Sequence, residues 1–254
     1  MRWMAWNNPS GTPLLLLHGF LGEAADWAQI ASLLPEFYCI APDLPGHGLS
    51  PITDDMTCES TISEIIRYLE SRMTTPIGIV GYSMGGRLGI QLAVQHPMMV
   101  RSLSLESASL GIDNPVERRA RIRFERQLLD RLQTMDPIHF LREWYSMPMF
   151  GDLSRHPRFL ELLARRASYS PQSLARALTM FSAVDQNPIW DSISHIQLCA
   201  YITGEKDTKY VGIARRLNAI YPSRVAILPG LGHNCHFEDP YQFAKLLGDA
   251  LRQW

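Results

Sequence analysis

Residues 81–85 read Gly-Tyr-Ser-Met-Gly, directly after the apolar run Ile77-Gly78-Ile79-Val80. A serine hydroxyl is a weak nucleophile or base until a histidine accepts its proton and a carboxylate orients that histidine. G-x-S-x-G between a strand and a helix provides the serine. Gly81 and Gly85 leave room for neighbouring chain beside a sharp, strained turn, and the helix that follows aims its N-terminal amides and positive dipole end at Ser83. Two later segments provide partners. Val225-Ala226-Ile227-Leu228 reads as a strand and runs into Pro229-Gly230-Leu231-Gly232-His233, so His233 sits in a glycine-rich loop and is the candidate base. Leu198 to Thr203 reads as the preceding strand and leads into Gly204-Glu205-Lys206-Asp207, which makes Asp207 the candidate acid. Glu205, Asp191 and Glu106 are weaker candidates for that role. His236 lies past the loop apex and reads as structural.

The elements that must position these residues are legible as short apolar runs alternating with amphipathic stretches, the pattern of a parallel sheet with crossover helices. Strands are expected near 13–17, 37–41, 77–81, 100–106, 198–203 and 224–228, and helices near 23–34, 57–73, 83–96, 206–220 and 239–252. Between Glu106 and Leu198 lie some 90 residues with helical patterns and no convincing strand. This arrangement, with serine, acid and histidine in that chain order, resembles the α/β-hydrolase fold: a mostly parallel sheet with crossover helices and a helical lid inserted after the strand ending near Glu106. The expected division is a core of residues 1–111 and 186–254 with a lid of residues 112–185. The turn Leu17-His18-Gly19-Phe20 after the first long strand then implies an oxyanion hole made by the backbone N–H groups of Phe20 and Met84. His18 and the His47 of Asp43-Leu44-Pro45-Gly46-His47-Gly48 read as turn-stabilising residues.

At 254 residues, 46% apolar and 19% charged, the chain suits one large globular domain or a core with an insertion. A formal net charge of −1 offers no basic excess for phosphate neutralisation, so nucleic acid is not an expected partner. The longest apolar run, Leu14 to Leu17, is too short for a membrane span, and the first residues lack a signal-peptide core, so a cytoplasmic protein is expected. Cys39, Cys58, Cys199 and Cys235 follow no metal or disulfide spacing, and no metal or cofactor is expected. The charge is unevenly distributed. Arginine outnumbers lysine 21 to 3, and 12 arginines against nine acidic residues fall between Ile112 and Asp185. Planar guanidinium groups are the preferred partners of carboxylates, and a lid of that polarity argues against a lipase-like apolar flap.

Five features together resemble the 2-succinyl-6-hydroxy-2,4-cyclohexadiene-1-carboxylate synthases of menaquinone biosynthesis. They are His18-Gly19-Phe20-Leu21-Gly22, Asp43-Leu44-Pro45-Gly46-His47-Gly48-Leu49-Ser50, Gly81-Tyr82-Ser83-Met84-Gly85-Gly86-Arg87, Glu117-Arg118-Arg119-Ala120-Arg121, and Trp144-Tyr145 with Pro148 and Phe150. The resemblance covers nearly the full length; Arg87, the arginine-rich lid helix and the Trp-Tyr pair carry its discrimination. It implies a cofactor-independent lyase that eliminates pyruvate from a polycarboxylate, with Ser83 as base, His233 and Asp207 behind it, and Arg87, Arg121 and Arg166 on substrate carboxylates. Trp144 and Tyr82 would line the ring pocket. Helical phase alone does not choose Arg121 over Arg118, Arg119 or Arg123. The chain departs from the family at Ser107-Ala108-Ser109-Leu110-Gly111-Ile112, where a Pro-Gly-Leu-like turn is usual. The alternative reading is a serine hydrolase, an esterase or thioesterase, for a small anionic substrate. A monomer or small homo-oligomer is expected.

Overall fold

The computed structural model describes residues 1–222 and 224–253. Its sheet strands are β1 (Trp3–Trp6), β2 (Thr12–Leu17), β3 (Phe37–Pro42), β4 (Ile77–Tyr82), β5 (Val100–Glu106), β6 (Leu198–Gly204) and β7 (Val225–Leu228), in the spatial order β1-β3-β2-β4-β5-β6-β7. All neighbours pair in parallel except β1, which runs antiparallel to β3 with Trp3 opposite Pro42 and Trp6 opposite Cys39. The helices packed on this sheet are α1 (Ala28–Leu33), α2 (Cys58–Glu70) and α3 (Met84–Gln95). Between β5 and β6 come α4 (Pro115–Thr134), α5 (Pro137–Tyr145), α6 (Phe159–Arg166) and α7 (Pro171–Met180). After β6 follow α8 (Thr208–Asn218), the single turn α9 (Cys235–Glu238) and α10 (Pro240–Leu251).

The period-2 alternation of strand side chains accounts for two layers of core. Leu15 and Leu17 face one side with Ile40, Ile79 and Leu103. Leu14 and Leu16 face the other with Cys39, Val80 and Phe243 of α10. Each such fully buried aliphatic side chain contributes about 1.5–3 kcal/mol. A third cluster, including Leu128, Phe140, Tyr145, Phe159 and Leu174, holds the helices α4–α7 together and meets the sheet layers through Leu21 and Phe237.

Three expectations need correction. The edge strand β1 is not anticipated, because four residues rich in Trp and Met carry no β-branched signal; Trp3 is held by stacking on Tyr68 of α2 at 3.6 Å. The segment expected as one helix over 23–34 is a 3₁₀ turn at Ala24–Trp27 followed by α1, and Asp26 reaches back to the Glu23 amide at 3.0 Å. The helix expected over 206–220 begins at Thr208, with Asp207 at its N-cap. Among the described residues no helix is long and apolar enough to cross a membrane.

The topology brings the ends of β4, β5, β6 and β7 to one edge of the sheet, the carboxyl edge at which parallel sheets present their loops to ligands. Tyr82 pairs with Glu106 and Gly204 with Leu228, so the residues following these strands meet there.

Candidate active site

Ser83 lies between β4 and α3 with φ 50° and ψ −107°, a conformation unfavourable for a residue with a Cβ. The turn tolerates it because the neighbouring glycines let the chains close up. A Cβ on Gly85 would lie 2.3 Å from the Leu17 carbonyl oxygen, and one on Gly81 2.5 Å from Gly86 Cα. The Ser83 N–H donates to the Glu106 carbonyl at 2.8 Å, which ties the turn to the end of β5.

The structure brings Ser83, His233 and Asp207 into one hydrogen-bonded chain. His233 Nε2 stands 2.9 Å from Ser83 Oγ, and His233 Nδ1 stands 2.5 Å from Asp207 Oδ2. Asp207 is fully buried, which sets its carboxylate in a medium where the contact to the imidazole is strong. The other acids are elsewhere. Glu205 accepts the Gly230 amide at 3.0 Å on the surface, Asp191 is exposed, and Glu106 engages His236 at 2.6 Å. His236 also stacks on Trp27 at 4.4 Å. His18 accepts the Leu44 N–H through Nε2 at 2.9 Å, holding its turn, and burial pushes its pKa and that of His47 below the ordinary histidine value.

The His233 ring is held on three sides, by Phe150 edge-on at 5.6 Å, Tyr82 at 5.3 Å and Tyr210 at 4.8 Å. Its backbone N–H donates to the Met149 carbonyl at 2.8 Å. The preceding amide, of Gly232, donates to both carboxylate oxygens of Glu238 at 3.0 and 3.1 Å. Burial, followed by the nearby Glu106 charge, raises Glu238 from 4.5 to about 7 despite those hydrogen bonds. The fold therefore binds this proton more tightly than the unfolded chain does, and loses relative stability as pH rises from about 4.5 towards about 7. Glu238→Gln, which keeps an acceptor for Gly232, is expected to flatten that slope and add about 1–2 kcal/mol above pH 7 after allowing for solvent screening. Urea titrations of both proteins at pH 5 and pH 8 check this; an equal difference at the two pH values would refute it.

A cavity of about 810 Å³ opens over Ser83 and His233, in the size range of small-molecule sites. Phe20, Tyr82, Met84, Arg87, Trp144 and Arg166 are among its walls. Phe20 meets Trp144 edge-on at 5.4 Å, and its backbone N–H has no acceptor among the described residues. Met84 opens α3, so its N–H has no intrahelical acceptor either. Both amides are free to serve an oxyanion.

The three arginines differ in what already holds them. Arg87, one turn along α3 from Ser83, makes no ion pair within the described residues; burial, then the facing Arg121 charge, lowers its pKa to about 10, still charged at neutral pH. Arg121 points into the cavity from α4 while Arg118, Arg119 and Arg123 lie on the exposed side, which resolves the helical phase. It pairs with Glu125 at 2.6 Å, and Glu125 is itself held by Ser182 Oγ at 2.7 Å and the Ala183 amide at 3.1 Å. Arg166 is buried against Asp26, with Glu23 at 3.5 Å and the Tyr169 hydroxyl at 2.9 Å. Although burial alone would lower its pKa, Asp26 and its neighbours raise it. Arg166 thus reaches the cavity wall with its charge already balanced, by acids some 140 residues away that nothing in its local sequence signals. Among the described residues no group of three His, Cys, Asp or Glu side chains could hold a metal ion.

The model of the alpha/beta hydrolase family matches residues 14–246. The putative 2-succinyl-6-hydroxy-2,4-cyclohexadiene-1-carboxylate synthase of Haemophilus influenzae is 30% identical over 94% of this chain and 96% of its own length. The chain belongs to the alpha/beta hydrolases, in the branch of these synthases. A second putative synthase, from Bacillus subtilis, is also 30% identical, over 94% of this chain and 89% of that protein. The fold of the branch is the one seen in MenH from S. aureus, which superposes with a TM-score of 0.90 at 24% identity, covering 99% of this chain and 98% of that one. In this synthase-branch chain the unusual turn after β5 is accommodated by positive φ at Ser107 (46°) and Gly111 (96°), with Ser107 Oγ 3.1 Å from Thr203 Oγ1.

Proposed function

We propose that the protein eliminates pyruvate from 2-succinyl-5-enolpyruvyl-6-hydroxy-3-cyclohexene-1-carboxylate, giving 2-succinyl-6-hydroxy-2,4-cyclohexadiene-1-carboxylate for menaquinone biosynthesis. The observation that carries this reading is Arg87: an arginine in no ion pair among the described residues, one helical turn from the serine, in a cavity that also receives Arg121 and Arg166. Leaving a cation so near a nucleophile suits an anionic substrate, and this substrate bears carboxylates on its ring, its succinyl arm and its enolpyruvyl arm. The names of the relatives point the same way.

In the proposed mechanism Ser83 acts as the base. His233 takes the Ser83 hydroxyl proton, steadied by Asp207, while Oγ takes the ring proton next to the succinyl ketone. The electron pair from that C–H bond delocalises onto the ketone oxygen, where the Phe20 and Met84 amides stabilise it. It then moves through the ring double bond and expels the enolpyruvyl oxygen, and the proton on His233 goes to the departing pyruvate. No acyl-enzyme forms and no redox partner is needed. Arg87 and Arg121 grip carboxylates; Arg121 has N–H donors to spare beyond the one held by Glu125. Arg166, balanced by Asp26, contributes a rigid donor wall, and Trp144 and Tyr82 bound the ring. Residues 112–185 act as the lid over a core of 1–111 and 186–254.

Pyruvate release from the enolpyruvyl substrate, prepared in situ and followed against the spontaneous background, tests the reading. Acceleration of at least about 10⁶-fold over that background is expected for an enzyme on its own substrate. No acceleration, beside rapid turnover of an aryl ester, would transfer the site to the hydrolases.

A further inference from the structure

Glu106 has no part in the mechanism above, yet it is fully buried beneath the site. Its carbonyl oxygen accepts the Ser83 N–H at 2.8 Å. Its side chain takes the loop that carries the base: Oε1 accepts the His236 backbone N–H at 3.0 Å, and Oε2 accepts from His236 Nδ1 at 2.6 Å. His236 follows His233 by three residues, at the start of the single turn α9. That turn lacks the usual side-chain cap, since Asn234 at its N-cap accepts no amide, and the Glu106 carboxylate supplies the missing acceptor from another strand.

The sheet order explains why such a link is needed. Ser83 follows β4 and His233 follows β7, and β5 and β6 lie between them. The 2.9 Å contact from Ser83 Oγ to His233 Nε2 therefore bridges loops from strands that do not touch. Asp207 orients the His233 ring, and the Met149 carbonyl and Glu238 hold the His233 and Gly232 amides, but none of these contacts ties the loop to the serine turn. Glu106 joins the serine turn through its main chain and the histidine loop through its side chain. His236 is fixed in turn by stacking on Trp27 at 4.4 Å and by the Tyr82 edge at 5.0 Å. Tyr82 also packs on His233, so both imidazoles share one wall.

We propose that Glu106 and His236 form a positioning pair that sets the Ser83–His233 separation. The rate consequence rests on the lyase reading; the geometric consequence does not. Glu106→Gln retains an acceptor for the His236 amide but removes the charged acceptor for Nδ1. It is expected to lower kcat for pyruvate release by about tenfold or more with KM within about twofold, since small misplacement of catalytic groups costs up to about 10²-fold. The rate at which a fluorophosphonate ester labels Ser83 is expected to fall by a similar factor, and the downfield proton resonance of His233 Nδ1–H to shift although Asp207 is intact. His236→Gln, which keeps an N–H donor towards Glu106, is expected to lose less than His236→Phe, which keeps only the stacking on Trp27. Should Glu106→Gln fail to fold, His236→Phe carries the same test. A folded Glu106→Gln or His236→Phe protein with labelling rate and His233 resonance unchanged would reduce the pair to core packing and overturn the proposal. If wild type releases no pyruvate but the labelling and resonance changes occur, the lyase reading fails and the positioning pair stands.

Discussion

Ser83→Ala is expected to lower pyruvate release by about 10³-fold or more while leaving the fold intact. The alanine removes one oxygen atom, Oγ, from a chain of two hydrogen bonds that ends on a buried carboxylate. Without it no atom near the ring receives the proton, and His233 has nothing to activate. What survives is binding by the arginines and stabilisation by the two amides, so the residual rate is expected to remain above the spontaneous background. KM should change little, because the carboxylate contacts are untouched. Continuous pyruvate detection with wild type and variant side by side decides the matter. A variant retaining more than about a tenth of the wild-type rate would remove Ser83 from the chemistry and leave His233 acting through water.

Arg87→Ala is expected to lower kcat/KM on the polycarboxylate by about 10²–10³-fold and to change hydrolysis of a neutral aryl ester by less than about tenfold. Truncating one partner of a desolvated charged pair costs about 2–5 kcal/mol, and a neutral substrate has no such partner to lose. Because Arg87 makes no ion pair among the described residues, its removal breaks none of them and relieves repulsion from Arg121. Loss of activity should therefore come without loss of thermal stability. Arg87→Lys should recover part of the rate only, since an ammonium cannot form the two-pronged contact of a guanidinium. Equal losses on both substrates would show that the residue supports the elbow rather than the carboxylate.

Much of this arrangement is readable in the chain because its elements announce themselves locally. The glycines around Ser83, and Gly232 beside His233, sit where a neighbouring chain passes too close to leave room for a Cβ. The unbroken apolar run from Leu14 to Leu17 marks a strand buried on both faces. The rest depends on contacts between distant segments. Nothing in the stretch around Arg166 reveals that Asp26 waits on a turn near the N-terminus. Nor does the end of β5 reveal that Glu106 reaches His236 and is thereby withdrawn from competition with Asp207. Arg121 stands out from its neighbours only when the face of α4 turned to the cavity is known. The antiparallel β1 is invisible for the opposite reason, being too short to show a period.

The contrast between the cations has a bearing on how the protein endures. Arg166 and Arg121 bring their own acids, whereas Arg87 stands opposite Arg121 and makes no ion pair among the described residues. On the proposed function, a polycarboxylate seated between the two guanidinium groups would offset their repulsion. Binding to the native form alone lowers its free energy by RT ln(1 + [L]/Kd), so occupancy and resistance to unfolding rise together. The expected sign is a Tm that rises with polycarboxylate concentration in the wild type and rises less in Arg87→Ala.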